Sequence, residues 1–288
     1  MISGELTMRQ QHNLFTHYPL DSEIQLGGET LTSPYHIYDG SILFMGGRAS
    51  ATAAARLLGD GQLTPILDDQ GQALAALWIC DFTEANLGPH HELQISIFAS
   101  FQPQPAVHAH PFAIYRLLTL NPQAMMVCHG LWNNTERVVR YNREHLMLDA
   151  QLCTSAFDLD RTSGRWRFQF EDAERKLPLV SGDITLAKPQ PSVFLEMAGQ
   201  LGPGGLLKTM RAPFIYVPVV NTRSAHAADN RVARTYTKSD RQTIVKFDDA
   251  STLTIHDPAY QALNFQPDFI QHNGGVRFVY LRPEAAQA

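Results

Sequence analysis

A glutamate at the head of an alternating apolar run is the first feature of this chain with chemical potential. In Glu92, Leu93, Gln94, Ile95, Ser96, Ile97, Phe98, period two places Glu92, Gln94, Ser96 and Phe98 on one face of a strand. If that face turns toward an apolar interior, burial makes the carboxyl harder to ionise and brings it into the range of a general acid or base near neutrality. If it turns to solvent, Glu92 is an ordinary strand end. His90 and His91 come immediately before it, so one ring points toward Glu92 and the other away. An imidazole beside a carboxylate is the usual acid/base pairing, and the plainer role for either ring is a turn histidine bonded to backbone. Arg143 and Glu144 offer a planar guanidinium fork that can orient a substrate carboxylate or carbonyl, or else an ion pair closing a helix.

The other reactive side chains carry less. His90, His91, His108, His110, His129 and His145 crowd one part of the sequence. The alternating pair His108 and His110 has the spacing for two imidazoles on one strand face. Prolines 103, 105 and 111 surround that pair, however, which reads as an exposed loop, so neither a metal nor any other cofactor is expected. Cys80, Cys128 and Cys153 are an odd, unpaired set, reading as reduced thiols packed as small apolar residues. Cys128 beside His129 is the one neighbouring thiol and imidazole, and adjacent strand residues face opposite ways. Trp132, with Trp166 and the phenylalanines, reads as core and cavity wall more than as a binding motif.

The elements that must position these residues are mostly strands. Segment 35–44 brackets Asp39-Gly40 as a hairpin or bent strand, and 50–58 reads as a short helix capped by Ser50 or Thr52 and ended by Gly59. Segments 73–82 and 92–101 form a hairpin around the loop 83–89. Segments 112–120 and 124–128 read as two more strands about Asn121-Pro122, and 134–147 as a helix with Asn134 or Thr135 as its cap. Period-two patterns follow over 166–170, 183–186, 214–219, 243–247 and 252–255. Asn273-Gly274-Gly275 signals a hairpin. A helix is expected over 191–198, and the 202–205 glycine cluster is expected to be a loop, since it lacks the signature of a phosphate cradle. The sum is a single mainly β (α+β) domain over 1–288, with 1–34 as an arm packed on it and an antiparallel sheet long enough to close into a barrel.

Two segments together resemble the acetoacetate decarboxylase family. Leu87-Gly88-Pro89-His90-His91-Glu92 leading into the strand resembles that family's glycine-to-glutamate turn, whose glutamate faces a barrel cavity. Val139-Arg140-Tyr141-Asn142-Arg143-Glu144 resembles its Gly-Arg-Glu helix end. The resemblance spans roughly the first 190 residues and implies an acetoacetate decarboxylase-like antiparallel β-barrel with a few short helices, a deep apolar cavity and homo-oligomers. It also exposes a departure. The family follows its helix end with two consecutive lysines, one of them the Schiff-base nucleophile, whereas here Asp149 stands for a proline and Ala150-Gln151 for the lysine pair. The lysines of the chain are Lys176, Lys188, Lys208, Lys238 and Lys246, so the first 175 residues hold none. Gly40 stands where the family has an arginine, with Arg48 the nearest substitute, and Leu77 where it has a second cavity glutamate.

A net charge of −5 without a basic stripe, and a pI near 6.2, argue against nucleic acid as a partner. Apolar runs such as 74–80 are far shorter than the roughly 20 residues of a bilayer-spanning helix, so no membrane partner is expected. Residues 1–11 lack the pattern of a secretory signal, which makes the cytoplasm the expected location. The function expected is acid/base chemistry without an imine: lyase, cyclase or isomerase action on a small or polyketide-like carbonyl metabolite. Glu92 would shuttle the proton, His91 or His90 partner it and Arg143 anchor the substrate, with Glu144, Asp149, Trp132 and Gln94 in contact with it. The alternative is a noncatalytic pocket for a hydrophobic small molecule.

Overall fold

The computed structural model describes residues 12–285 except 60–61, 109, 111, 122, 161–163, 187–194, 197, 200, 206, 208–214 and 222–230. In chain order it runs α1 (Asn13–His17), β1 (Ser22–Leu26), β2 (Glu29–Ser33), β3 (Tyr35–Ala49), α2 (Ala51–Leu58), β4 (Thr64–Pro65), β5 (Ala73–Ala85) and β6 (His90–Ser100). Then come α3 (Ala113–Leu120), β7 (Met125–Asn133), α4 (Glu136–Glu144), β8 (Ala150–Asp160), β9 (Arg165–Asp172) and β10 (Pro178–Thr185). The last elements are β11 (Ile215–Asn221), β12 (Arg231–Lys246), β13 (Thr252–Ile255), a short helix Pro258–Gln261, β14 (Gln266–Tyr280) and β15 (Glu284–Ala285). The chain is mainly β, as its alternation predicts.

β1 and β2 make a sheet of their own, and the remaining strands form one 13-stranded sheet: twelve in the order β13-β10-β9-β8-β7-β11-β12-β14-β3-β5-β6-β4, with β15 paired to β12 off this path. β6 pairs a second time, with β7. That second pairing brings the path β7-β11-β12-β14-β3-β5-β6 back to β7, while β13 and β4 remain its outer ends. β7 is the junction. Met126–Cys128 pair with β11, Leu131–Asn133 pair with β8, and the register against β6 shifts between Ile95 and Ser96.

Two apolar layers clothe this sheet. On the face carrying Phe44, Cys80, Phe98 and Met126, the core includes Phe112, Ile114 and Leu117 from the α3 region and Val138, Val139 and Tyr141 from α4. On the other face, Leu93, Ile95 and Ile97 pack with Ala53, Ala54 and Leu58 of α2 and with Trp166, Phe168 and Phe170 of β9. Ser50 caps α2 by accepting from the Ala53 amide, and Gly59 ends it at φ +71°, as the sequence suggests.

Three expectations fail for physical reasons. Segment 112–120 is the helix α3, because Ile114, Leu117 and Leu118 recur at helical spacing and pack on one core. Asn273-Gly274-Gly275 is no hairpin, since β14 runs straight through it: Asn273 pairs with Gln242 on one side and Ile42 on the other. Residues 201–205 are helical and not a loop. The 191–198 helix is helical at 195, 196 and 198, the rest lying outside the described residues. Asp39-Gly40 is a bend, with register shifts against β5, inside the single long strand β3.

Close backbone approach between β3 and β14 depends on Gly47. A Cβ there would lie 2.0 Å from the Gln266 carbonyl oxygen and 2.7 Å from the Pro267 Cα, both main-chain atoms beside the bulge at Pro267/Phe269. Gly47→Ala is expected to lower stability by about 2–3 kcal/mol, measured as a drop in denaturant midpoint; an unchanged midpoint would show that the two strands separate freely here.

Candidate active site

Glu92 is delivered to the interior by β6. Its Cα partner on β5 is Cys80 and on β7 is Asn133, so its face is that of Phe44, Cys80 and Phe98. Glu92 and Trp78 keep part of their surface accessible, while Cys80 and Leu131 (2%) and Phe98 (0%) are shut. Protein atoms nonetheless crowd the Glu92 carboxyl so closely that burial pushes its pKa up to about 7, against a smaller opposing effect of the Asn133 hydrogen bond.

The partners of the carboxyl form a short amide chain. Asn133 Nδ2 donates to Glu92 Oε2 at 2.9 Å, and Asn142 Nδ2 of α4 donates to Asn133 Oδ1 at 2.9 Å. Both asparagines are buried, at 0% and 1%, and Asn142 Oδ1 has no hydrogen-bond partner. Tyr35 lies within electrostatic reach: its pKa is raised well above 10, first by burial and next by Glu92. Burial, and then Glu92, likewise hold the Cys80 and Cys128 thiols neutral, their pKa values raised well above the ordinary one.

His90 is the histidine on Glu92's side. It is buried at 3%; its Nε2 meets the Tyr35 hydroxyl at 2.5 Å and its Nδ1 the Gly88 carbonyl at 2.9 Å. Burial lowers its pKa to about 4, so it is a neutral ring at physiological pH. His91, expected as the first partner of Glu92, faces the other way, with Nδ1 2.8 Å from Ser155 Oγ and the ring 4.3 Å from that of Phe157. It is separated from the carboxyl by the sheet. Gln94 lies on the Glu92 face, its Nε2 donating to Ser96 Oγ at 2.7 Å.

The remaining sequence candidates are not brought to Glu92. Trp132 pairs with Leu93 and packs on the opposite face against Tyr260, ring centroids 5.7 Å apart; a strand neighbour one residue from Asn133 cannot share its side. Arg143 is exposed at the end of α4, its Nε donating to the Ala150 carbonyl; Glu144 and Asp149 are exposed as well. Arg143 and Asp149 meet instead in a surface cleft of about 380 Å³ with Gln151, Asp172 and Glu174. A second cleft, about 660 Å³, lies among Asp158, Asp160, Arg165, Arg167 and Thr185. Neither is the enclosed apolar chamber that the resemblance implies, and neither borders Glu92.

At the positions expected to replace the lysine pair, Ala150 is fully buried in the core of Glu92's face, paired with Leu131. Its methyl group ends where a longer side chain would enter the interior. Among the described lysines, Lys176 and Lys238 are exposed and Lys246 reaches Glu196 at 3.1 Å. Lys188 and Lys208 lie outside the described residues. Arg48 is engaged by Asp268 through two hydrogen bonds, 2.7 and 3.2 Å. Leu77 is on the far face at 1% exposure. His108 pairs with Asp69 and His110 with Glu196, and no group of three or more His, Cys, Asp or Glu among the described residues is placed to hold a metal ion. No described helix is long and apolar enough to cross a membrane.

No family model matches the sequence, nor does any curated protein. Solved structures do. An acetoacetate decarboxylase from Legionella pneumophila superposes with a TM-score of 0.58 at 8% identity, covering 100% of this chain and 98% of the other. The enduracididine biosynthesis enzyme MppR, complexed with pyruvate, gives 0.53 at 15% identity over 88% of this chain and 90% of its own. An acetoacetate decarboxylase-like enzyme from Sphingomonas wittichii gives 0.50 at 11%, over 88% and 92%.

Proposed function

On the acetoacetate decarboxylase-like fold that this chain has, we propose that the protein is an enzyme running proton-transfer chemistry on a carbonyl compound, as a lyase, cyclase or isomerase that forms no imine. The observation that carries this is Glu92: a carboxyl on the interior face whose burial brings its pKa to about 7. A group so poised is half ionised at neutrality, so it both accepts and returns a proton without a large thermodynamic penalty. Burying a carboxyl with no cationic partner works against the fold, which points to a functional reason for keeping it there.

The wider interior supports the same reading. Asn133 and Asn142 hold the carboxyl in one orientation, and Ala150 stands at the site of the family's nucleophile. The substrate is a small or medium, largely apolar carbonyl metabolite, since the residues packed on the face of Glu92 include Phe44, Trp78, Leu131 and Met126.

The test uses 2-tetralone, a neutral bicyclic ketone, in deuterated water. The wild-type protein is expected to accelerate exchange of the α-protons, with the rate rising through a midpoint near pH 7 as Glu92 ionises. Borohydride added to the same mixture is expected to leave the protein mass unchanged. A trapped ketone adduct would restore imine chemistry; saturable binding with no exchange would instead make this a ligand-binding protein.

A further inference from the structure

All three tryptophans of the chain carry an indole nitrogen that is buried and unpartnered. Two of them are core residues on the face opposite Glu92, Trp132 and Trp166, each 1% exposed. Trp78 differs on both counts: it packs on the Glu92 face and keeps part of its surface accessible. Its Cα partner on β6 is Gln94, while Glu92 pairs with Cys80 two residues further along β5. Trp78 is thus the diagonal neighbour of Glu92 on one face, a separation that aromatic and long side chains readily span. Phe44 fixes the indole, ring centroids 4.4 Å apart.

We propose that the Trp78 indole N–H is the donor that receives a substrate's carbonyl oxygen while Glu92 removes and returns the proton on the adjacent carbon, the two side chains forming an enolising pair for a neutral ketone. This rests on the acid/base role of Glu92 given above. A ketone's oxygen and its α-hydrogen are carried by neighbouring carbons, so one small molecule can offer its oxygen to the indole and its α-hydrogen to the carboxyl of the diagonal neighbour. The ligand is neutral because the donor is uncharged and a second carboxylate would meet Glu92 in a poorly solvated space. A donor shielded from water is stronger toward developing negative charge than one exposed to it.

The step balances without a co-reactant. The Glu92 carboxylate takes the α-proton, the C–H electron pair becomes the C=C bond, and the carbonyl π pair moves to oxygen. That oxyanion accepts the Trp78 N–H hydrogen bond, with no transfer of the indole proton. The carboxyl then exchanges its proton with solvent, returns a deuteron to carbon, and the ketone reforms carrying the label.

The experiment compares wild type, Trp78→Phe and Glu92→Gln for deuterium incorporation into 2-tetralone at pH 8. Trp78→Phe, which keeps an aromatic ring and removes the N–H, is expected to lower kcat for exchange about 100-fold with KM changed less than about twofold, a split that loosened packing alone would not give. Wild-type kcat in Trp78→Phe together with loss of exchange in Glu92→Gln overturns the role of Trp78 and leaves that of Glu92 standing. Exchange untouched in both variants, or absent from the wild type, overturns both. If Trp78→Phe does not fold, the indole ¹⁵N–¹H resonance of Trp78 in the wild-type protein, assigned through its contacts with Phe44, decides: a downfield shift on saturation with 2-tetralone supports the hydrogen bond, and an unmoved resonance overturns it.

Discussion

Replacing Glu92 by glutamine is expected to reduce proton exchange by about 10²–10⁴-fold while leaving ketone affinity nearly unchanged, and to stabilise the folded protein at alkaline pH. The two effects share one cause. In the folded state burial raises the carboxyl from its ordinary 4.5 to about 7, so between those values the folded protein binds more protons than the unfolded chain. The contribution of Glu92 to stability is therefore fully present below pH 4.5 and is lost as pH rises through 7. The loss approaches about 3 kcal/mol above pH 8. Glutamine keeps an oxygen for Asn133 to donate to and carries no such loss. His36 and His90, both lowered to about 4 by burial, destabilise the fold as pH drops from 6.5 toward 4, but they are common to both proteins and cancel in the difference. Thermal melts of the two proteins should converge near pH 5 and separate steadily toward pH 9, with the glutamine variant the higher. Parallel curves would mean that the carboxyl is solvated after all.

The second large effect falls on Asn133. Asn133→Ala removes the one donor to the Glu92 carboxylate among the described residues and the acceptor of the Asn142 amide at a stroke. Leaving both buried groups unsatisfied costs about 2–5 kcal/mol. Because that hydrogen bond favours the ionised carboxyl, its loss moves the titration of Glu92 to higher pH. The exchange midpoint should climb, and the rate at pH 7 fall about tenfold. Activity that keeps its midpoint near pH 7 in a protein of lowered melting temperature would reduce Asn133 to a packing residue.

The face of Glu92 is legible in the alternation of Glu92 to Ile97, and its inward direction only in the resemblance, because β6 is buried on both sides over most of its length. The same parity sends His90 inward with Glu92 and His91 outward, a distinction that the adjacency of the two rings obscured. Asn133 could not be read in this way. Its strand was expected to end at Cys128, and the alternation of β7 breaks where its register against β6 shifts, so that Cys128 and Leu131 share a face although three residues apart. Nothing local announces such a bulge. Asn142 was noticed only as part of a helix end; its approach to Asn133 depends on how α4 packs under β7, a contact between distant surfaces. Its size makes Trp132 a candidate for a cavity wall, whereas its facing residue Leu93 decides its side. In α3 the helical spacing of Ile114, Leu117 and Leu118 carries the signal that the turn at Asn121-Pro122 does not.

The ends of the large sheet are short. β4 has two residues and β13 four, and these are the strands where the path stops. A strand rim exposes unsatisfied amides and carbonyls in proportion to its length, and long flat rims recruit foreign chains into fibrils. Here the longest strands, β3, β12 and β14, each have neighbours on both sides. The folded chain thus offers other molecules little template at the margins of a sheet whose middle strands run to 16 residues.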